Sequence, residues 1–351
     1  MEKQIELEQF GECPICGSTE VRFLFTNIDK AYDLPGKFGL NECMRCQVVY
    51  LSPRPTPSML AGYYPDNYPQ HQSWQIDIKP KHIDTIRNLL RNTVLYEIYN
   101  YKYYEKFPRI HNKIIAKILS YSLFPLWNRA RYDLPSFIFS NYKVGVRALD
   151  IGCGTGHFML ILKRLGYETY GIELSKKATK IGKEQFGLDI RNGTLLDHKF
   201  PDNYFYLITM NHVLEHLHNP IEVLLEAKRI LHPNGWIIIR TPNINSLGYK
   251  TFMEDWGPLE TPRHLFLYSK NSLNTLTAIT GLKMMKFHTL TWKACLYWSL
   301  SYKLKKLNKH NIQGHYFLLQ KAKINALNLY EKFLITFGKD VGEEICSVLI
   351  K

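Results

Sequence analysis

Two Cys-x-x-Cys pairs, Cys13-Pro-Ile-Cys16 and Cys43-Met-Arg-Cys46, are separated by 26 residues. Each pair is able to present two thiolates from a tight knuckle to one tetrahedral zinc ion. A redox Cys-x-x-Cys would instead be a single pair at a helix start in a βαβ setting. Two pairs among short β-rich runs predict a structural Zn2+ held by Cys13, Cys16, Cys43 and Cys46. A second group lies in Leu149-Asp-Ile-Gly-Cys-Gly-Thr-Gly-His-Phe158, an apolar run entering three alternating glycines. A dinucleotide site needs G-x-G-x-x-G, and the third glycine position is His157. Gly152, Gly154 and Gly156, with Cys153 among them, form an open loop, and Asp150 before it suits a ligand bearing a positive amino group rather than a pyrophosphate. Glu173, 21 residues beyond Gly152, ends the next strand, where a carboxylate accepts the two ribose hydroxyls of an adenosine. Asp197 follows the third strand and suits the adenine amino group. A third group is histidine-rich. Asn211-His-Val-Leu-Glu-His216 places Asn211 on the same rim, and Glu260-Thr-Pro-Arg-His-Leu-Phe-Leu-Tyr268 brings His264 past it. Histidine suits removal of a proton near neutral pH, which makes His216 and His264 the candidate catalytic residues.

The elements that must position these groups follow from periodicity. Strands alternate with helical stretches from Val144 onward, the pattern of an α/β, doubly wound, mostly parallel sheet. Strands are expected at 146–151, 168–171, 188–191, 204–210, 236–240, 282–290 and 343–350. Ligands of such sheets bind beyond the carboxyl ends of the strands, where the three acids fall. Residues 1–70 contain the cysteines, the β-rich runs 21–25 and 48–51, and the turn-rich Ser52-Pro-Arg-Pro-Thr-Pro57, and read as a small metal-stapled module. Residues 71–143 are basic and tyrosine-rich with apolar residues at helical spacing, a helical linker. Residues 144–351 form the α/β domain, broken by a Lys-rich, aromatic insertion at 291–340. That insertion reads as a lid, a partner-binding helix pair or a membrane-surface element.

The chain has 351 residues, 45% of them hydrophobic, and a formal net charge of +14. Nine of those excess charges lie between Lys79 and Arg147, where 13 Lys/Arg face 4 Asp/Glu. No run reaches the length of a transmembrane segment, and the N-terminus lacks a signal-peptide core, so a cytoplasmic protein is expected. Seven cysteines suit metal binding better than a disulfide framework; Cys153, Cys295 and Cys346 read as small apolar residues.

Asp150 to Gly156, Glu173, Asp197, Met210-Asn-His-Val-Leu-Glu-His216 and Leu231-His-Pro-Asn-Gly-Trp236 together resemble the class I S-adenosylmethionine-dependent methyltransferases. The resemblance covers about 210 residues from Val144. It implies S-adenosyl-L-methionine as cofactor and a Rossmann-like, seven-stranded sheet whose last strand is antiparallel. It also implies a hairpin between the last two strands, where this chain has its insertion. The cysteine module, read as an N-terminal zinc ribbon, together with His216 and with His264 followed by Leu-Phe-Leu-Tyr-Ser, is similar to the deoxysugar C-methyltransferases. In that family both matching histidines belong to the active site. An acidic residue precedes the second histidine there, and here Arg263 does; Thr261 stands where the family has tyrosine. Arg263 then suits an anionic group on the substrate. His212-x-x-Glu215-His216 also resembles the Glu-x-x-Glu-His of magnesium-dependent O-methyltransferases, with His212 in place of the first glutamate.

These readings predict a methyltransferase acting on a sugar, nucleotide sugar or other small polar metabolite. Two rival readings remain. In one, ribbon and basic linker grip RNA, whose phosphates would make binding salt-dependent. In the other, the fold is a binding module without catalysis, which the set of three acids argues against. Peripheral contact with an anionic membrane is compatible with the basic segments, and the sequence fixes no oligomeric state.

Overall fold

The computed structural model describes residues 6–65, 68, 84–97, 108–122, 145–291, 293–307 and 316–351. The strands of the α/β region are β6 (Arg147–Ile151), β7 (Glu168–Glu173), β8 (Asp189–Asn192), β9 (Phe205–Asn211), β10 (Leu231–Pro242), β12 (Lys283–Leu290) and β13 (Glu344–Ile350). They form a seven-stranded sheet in the order β12-β13-β10-β9-β6-β7-β8. β6 pairs parallel with β7, Asp150 opposite Gly171, and β7 pairs parallel with β8. β13 runs antiparallel to both of its neighbours, β10 and β12. The reversed strand is therefore the last in sequence, as the resemblance implied. Ala148, Leu149 and Ile151 in β6 and Leu207, Ile208 and Met210 in β9 are buried, which is why these strands read as apolar runs without alternation.

By contact density the chain groups into two compact units, Met1–Tyr68 with Thr209–Lys351, and Pro69–Ile208. The division falls within β9. It groups the cysteine module with residues 209–351.

In the first unit the cysteine module is built on a four-stranded antiparallel sheet. Its strands are β2 (Val21–Asn27), β3 (Phe38–Cys43), β4 (Val49–Leu51) and the distant β11 (Phe266–Leu267), in the order β11-β4-β3-β2, and a short antiparallel ladder pairs β1 (Leu7–Glu8) with β5 (Arg54–Pro55). Phe266 pairs with Tyr50 and Leu267 with Val49, and the Leu51 amide donates to the Leu265 carbonyl at 3.0 Å. The His264-Leu-Phe-Leu-Tyr268 segment is thus the edge strand that closes the module's sheet. Among the described residues, the insertion between β12 and β13 contains two helices, Ala294–Leu307 and Tyr316–Thr336. No helix among the described residues is long and apolar enough to cross a membrane.

In the second unit β6 to β8 alternate with helices His157–Arg164 and Lys176–Phe186. The Ser175 side chain caps the latter by accepting from the Ala178 amide, and Gly187 ends it in the left-handed region. The basic linker supplies helices Asp84–Glu97 and Lys113–Ser122. Apart from 108–112, the rest of the expected linker lies outside the described residues.

Candidate active site

In the second unit the loop after β6 carries Gly152, Gly154 and Gly156 at φ of +68°, +55° and +87°, a conformation that penalises any side chain. At Gly156 a Cβ would also approach the Leu188 side chain to 2.2 Å, so this residue is glycine for two reasons. The Glu173 carboxylate ties the loop to the next strand. Its Oε2 accepts from the Gly154 amide at 2.8 Å and its Oε1 from the Ser175 amide at 2.7 Å. Each oxygen retains a second lone pair, which fits an adenosine ribose. Asp150 is buried at the end of β6.

Asp197 already has work in the fold. Its Oδ2 accepts from the Thr194 amide at 2.7 Å and from the Thr194 hydroxyl at 2.8 Å, and these bonds lower its pKa. Cys153, expected within the ligand loop and also as a small apolar residue, is a core residue. Its side chain joins Met159, Leu188 and Ile190, burial pushes its thiol far up, and its amide donates to the Ile172 carbonyl at 3.1 Å. A glycine at 171 leaves room for that side chain, since a Cβ there would sit 2.6 Å from its Sγ.

In the first unit His216 and His264 lie with ring centroids 4.6 Å apart in an edge-to-face arrangement. The His264 Nδ1–H donates to the Pro258 carbonyl at 2.7 Å, and the His216 Nδ1–H donates to the Arg263 carbonyl at 2.9 Å. Each ring is thereby fixed in the tautomer whose Nε2 carries a lone pair. Burial, and then the neighbouring His216, lowers the His264 pKa to about 4, so this imidazole is neutral at pH 7. The Tyr64 hydroxyl sits 2.9 Å from His216 Nδ1, and the Tyr68 hydroxyl donates to Glu260 Oε1 at 3.1 Å. Glu260 Oε2 lies 3.5 Å from His264 Nε2.

Glu215 is fully buried, its Oε1 3.2 Å from His212 Nδ1 and its Oε2 without a hydrogen-bond partner. Burial alone would raise its pKa, but His212, His264 and His216 together bring it down to about 2. One ligand atom from each of Glu215, His216 and His264 falls within 4.8 Å of the others. His212 is committed elsewhere: its Nε2 lies 2.7 Å from Glu344 Oε1 and 2.7 Å from Lys293 Nζ. Asn211, next to it, is half-buried at the end of β9.

Arg263 does not face a substrate. Its side chain is fully buried, and Nη1 and Nη2 each donate to one oxygen of Asp29 at 2.7 Å. Nη1 also donates to the Tyr63 carbonyl at 2.9 Å and Nε to Glu260 Oε1 at 3.1 Å. The guanidinium thus ties the cysteine module to the loop that carries His264, and its charge is matched within the fold. Sequence reasoning missed Asp29, Tyr64, Tyr68 and Glu260. Glu260, four residues before His264, was the one within reach of a spacing argument.

The four cysteines also converge. Cys13 Sγ lies 3.7 Å from Cys46 Sγ and Cys16 Sγ 3.5 Å from Cys43 Sγ, all four within 4.8 Å of one another and none in a disulfide. Sulfurs about 2.3 Å from a shared tetrahedral ion are about 3.8 Å apart, so the donor set fits zinc. Both pairs fold alike: the residue after the second cysteine, Gly17 or Gln47, has φ near +60° (+69° and +60°) and donates its amide to the carbonyl of the first at 2.9 Å.

A family model described as a methyltransferase domain matches residues 119–286. The chain carries a class I S-adenosylmethionine-dependent methyltransferase domain. A ubiquinone biosynthesis O-methyltransferase of Cereibacter sphaeroides is 29% identical to it over 177 residues, 45% of this chain and 68% of that protein. A demethylmenaquinone methyltransferase of Listeria welshimeri is 25% identical over 160 residues, 43% of this chain and 65% of that protein. Among solved structures, a SAM-dependent methyltransferase from Archaeoglobus fulgidus aligns with a TM-score of 0.43 at 19% identity, covering 68% of this chain and 100% of that one.

Proposed function

We propose that this methyltransferase acts on a small, hydroxyl-rich acceptor, a sugar or nucleotide sugar, held at His216 and His264. The observation that carries the reading is the pair of imidazoles whose Nδ1–H groups are both spent on backbone carbonyls, so that both present an Nε2 lone pair, that of His264 lying 3.5 Å from Glu260 Oε2. S-Adenosylmethionine, when bound, supplies a methyl group on a positively charged sulfur. Glu173 would hold its ribose, Asp150 its amino group, and Asp197 would stand at the rim, with Gly152 to Gly156 allowing close backbone approach. His216 takes the acceptor proton at Nε2, and the Arg263 carbonyl stabilises the imidazolium through Nδ1–H. His264, neutral at pH 7, accepts a second hydroxyl hydrogen bond and orients the acceptor. The four cysteines hold a structural zinc that staples the module closing onto the His264 strand.

Incubation with methyl-labelled cofactor and parallel pools of nucleotide sugars, catechol-type quinone precursors and RNA tests this reading. Label in the sugar pool is expected, with His216→Ala lowering kcat by about 10²–10⁴ and leaving cofactor affinity unchanged. Label confined to RNA would refute it.

One observation favours a second reading, metal-assisted methylation of a quinone precursor. Buried, ionised Glu215 has an unpartnered oxygen beside two Nε2 lone pairs, a three-ligand set with its imidazoles oriented by carbonyls as metal-binding histidines are. Two of the similar proteins are a ubiquinone biosynthesis O-methyltransferase and a demethylmenaquinone methyltransferase, which supports a quinone-type acceptor. Two nitrogens and one carboxylate suit zinc, iron or manganese better than magnesium. Label in the catechol pool that is lost to a chelator and restored by one of these ions would establish this second reading.

A further inference from the structure

The insertion between β12 and β13 plays no part in either reading, and its surface is unusual. Residues 291–340 hold nine lysines, no arginine and two acids, and so carry half of the chain's net charge. In helix Tyr316–Thr336 and the residue that follows it, Ala322, Ala326, Leu329, Phe333 and Phe337 recur at i, i+4, i+7, i+11 and i+15, and all are exposed. Leu329 is 68%, Phe333 57% and Phe337 67% exposed, with Tyr330 at 51% on the stripe's edge. The Phe333 and Phe337 rings lie 4.6 Å apart, forming one apolar ridge. The opposite face is the packed one, where Ile324 and Glu331 are buried.

We infer that the exposed ridge of helix 316–336 docks the protein on an anionic lipid bilayer. Lys321 and Lys332 border the stripe on one side and Lys323 on the other, with Lys339 just past the helix end, and all four are exposed. The one acid of the helix, Glu331, is turned inside. The exposed charge of this face is therefore wholly positive, complementary to anionic headgroups. An apolar stripe flanked by lysines is the arrangement of helices lying in a membrane interface, where lysine stems bury along the hydrocarbon boundary while the ammonium groups reach the headgroups. A protein partner would predict the reverse composition, since interface cores are depleted in lysine and enriched in arginine. The inference is independent of the acceptor's identity.

The test is co-sedimentation of the full chain with phosphatidylcholine vesicles with and without phosphatidylglycerol, alongside sedimentation equilibrium of the protein alone. Binding to the phosphatidylglycerol vesicles and little to phosphatidylcholine alone is expected, weakening as salt is raised. Replacing Lys321 and Lys332 by glutamine should weaken partition about 25-fold, about 5-fold for each lysine near an anionic surface. Leu329→Ser, Phe333→Ser and Phe337→Ser combined should abolish binding while leaving the melting temperature unchanged, since these side chains are exposed. No binding to phosphatidylglycerol vesicles, or undiminished binding by the triple variant, would overturn the inference. So would a dimer that the triple variant dissolves, since the ridge would then be a contact between copies of this chain.

Discussion

Asp29→Asn is the most informative single change to the first unit. Asp29 and Arg263 are both fully buried, and the carboxylate accepts from both guanidinium Nη atoms at 2.7 Å. Its Oδ1 also accepts from the amides of Ala31 and Tyr32, each at 3.1 Å, which asparagine's carbonyl oxygen is able to retain. The substitution therefore removes the charge and leaves the local turn. Arg263 keeps Glu260 and the Tyr63 carbonyl, but its charge is no longer matched by a fully buried partner. Breaking a buried pair on one side costs about 3–5 kcal/mol, which corresponds to a fall in melting temperature of about 6–20 °C for a domain of about 150–250 residues. Removing both charges, as Asp29→Asn with Arg263→Met, leaves neither member of the pair ionised and should cost less than the sum of the two single changes, Asp29→Asn and Arg263→Met. Function should register the loss as well, because the Arg263 carbonyl holds His216. Thermal unfolding of the single and double variants, with cofactor titration and turnover on each, gives a complete cycle. A single-variant loss under about 1 kcal/mol, or strict additivity in the double variant, would refute the assignment of Asp29–Arg263 as a coupled tie between module and loop.

Two further outcomes follow from other parts of the molecule. Cys13→Ser with Cys16→Ser should remove about one zinc per chain by elemental analysis and lower the melting temperature; unchanged metal content would contradict the tetrahedral site. Glu331, buried with neither carboxylate oxygen hydrogen-bonded, has its pKa pushed up to about 9 by burial and by nearby Glu343. Its folded pKa lies above its unfolded value, so the unfolded chain releases this proton first and stability falls as pH rises from about 4.5 to about 9. Glu331→Gln should flatten that fall and stabilise the protein at pH 8 by at most about 5 kcal/mol, the separation between about 4.5 and pH 8 being worth about 1.4 kcal/mol per unit. Denaturant titrations at pH 5 and pH 8 check this, and an unaltered pH slope would contradict it.

The seven strands of the main sheet were legible because buried parallel strands are apolar runs closed by Gly, Asp or Asn, and their observed ends mostly lie within a residue or two of expectation. β10 was the exception: it begins at Leu231, because the polar His232-Pro-Asn-Gly235 stretch hid its first turn of ladder. Phe38–Cys43 was missed, since its Asn and Glu break any alternation. Phe266–Leu267 is a two-residue strand whose partner lies more than 200 residues earlier, beyond any local pattern. The glycine loop announced its chemistry because three left-handed positions accept little else. Arg263 misled for the opposite reason. A lone arginine beside a candidate catalytic residue reads as a substrate ligand, and only the fold reveals Asp29, 234 residues away, as its partner. Cys153 likewise lay within a ligand loop by sequence and in the core by geometry.

The central claim is that this chain binds and uses S-adenosylmethionine through the loop at Gly152 to Gly156 and Glu173. Calorimetric titration with S-adenosylmethionine tests it most directly, on the wild-type protein and on Glu173→Ala with its folding confirmed by melting. One molecule bound per chain, and binding lost in the variant, is the predicted result. A wild-type protein that takes up none, or a folded variant that binds as tightly, would contradict it.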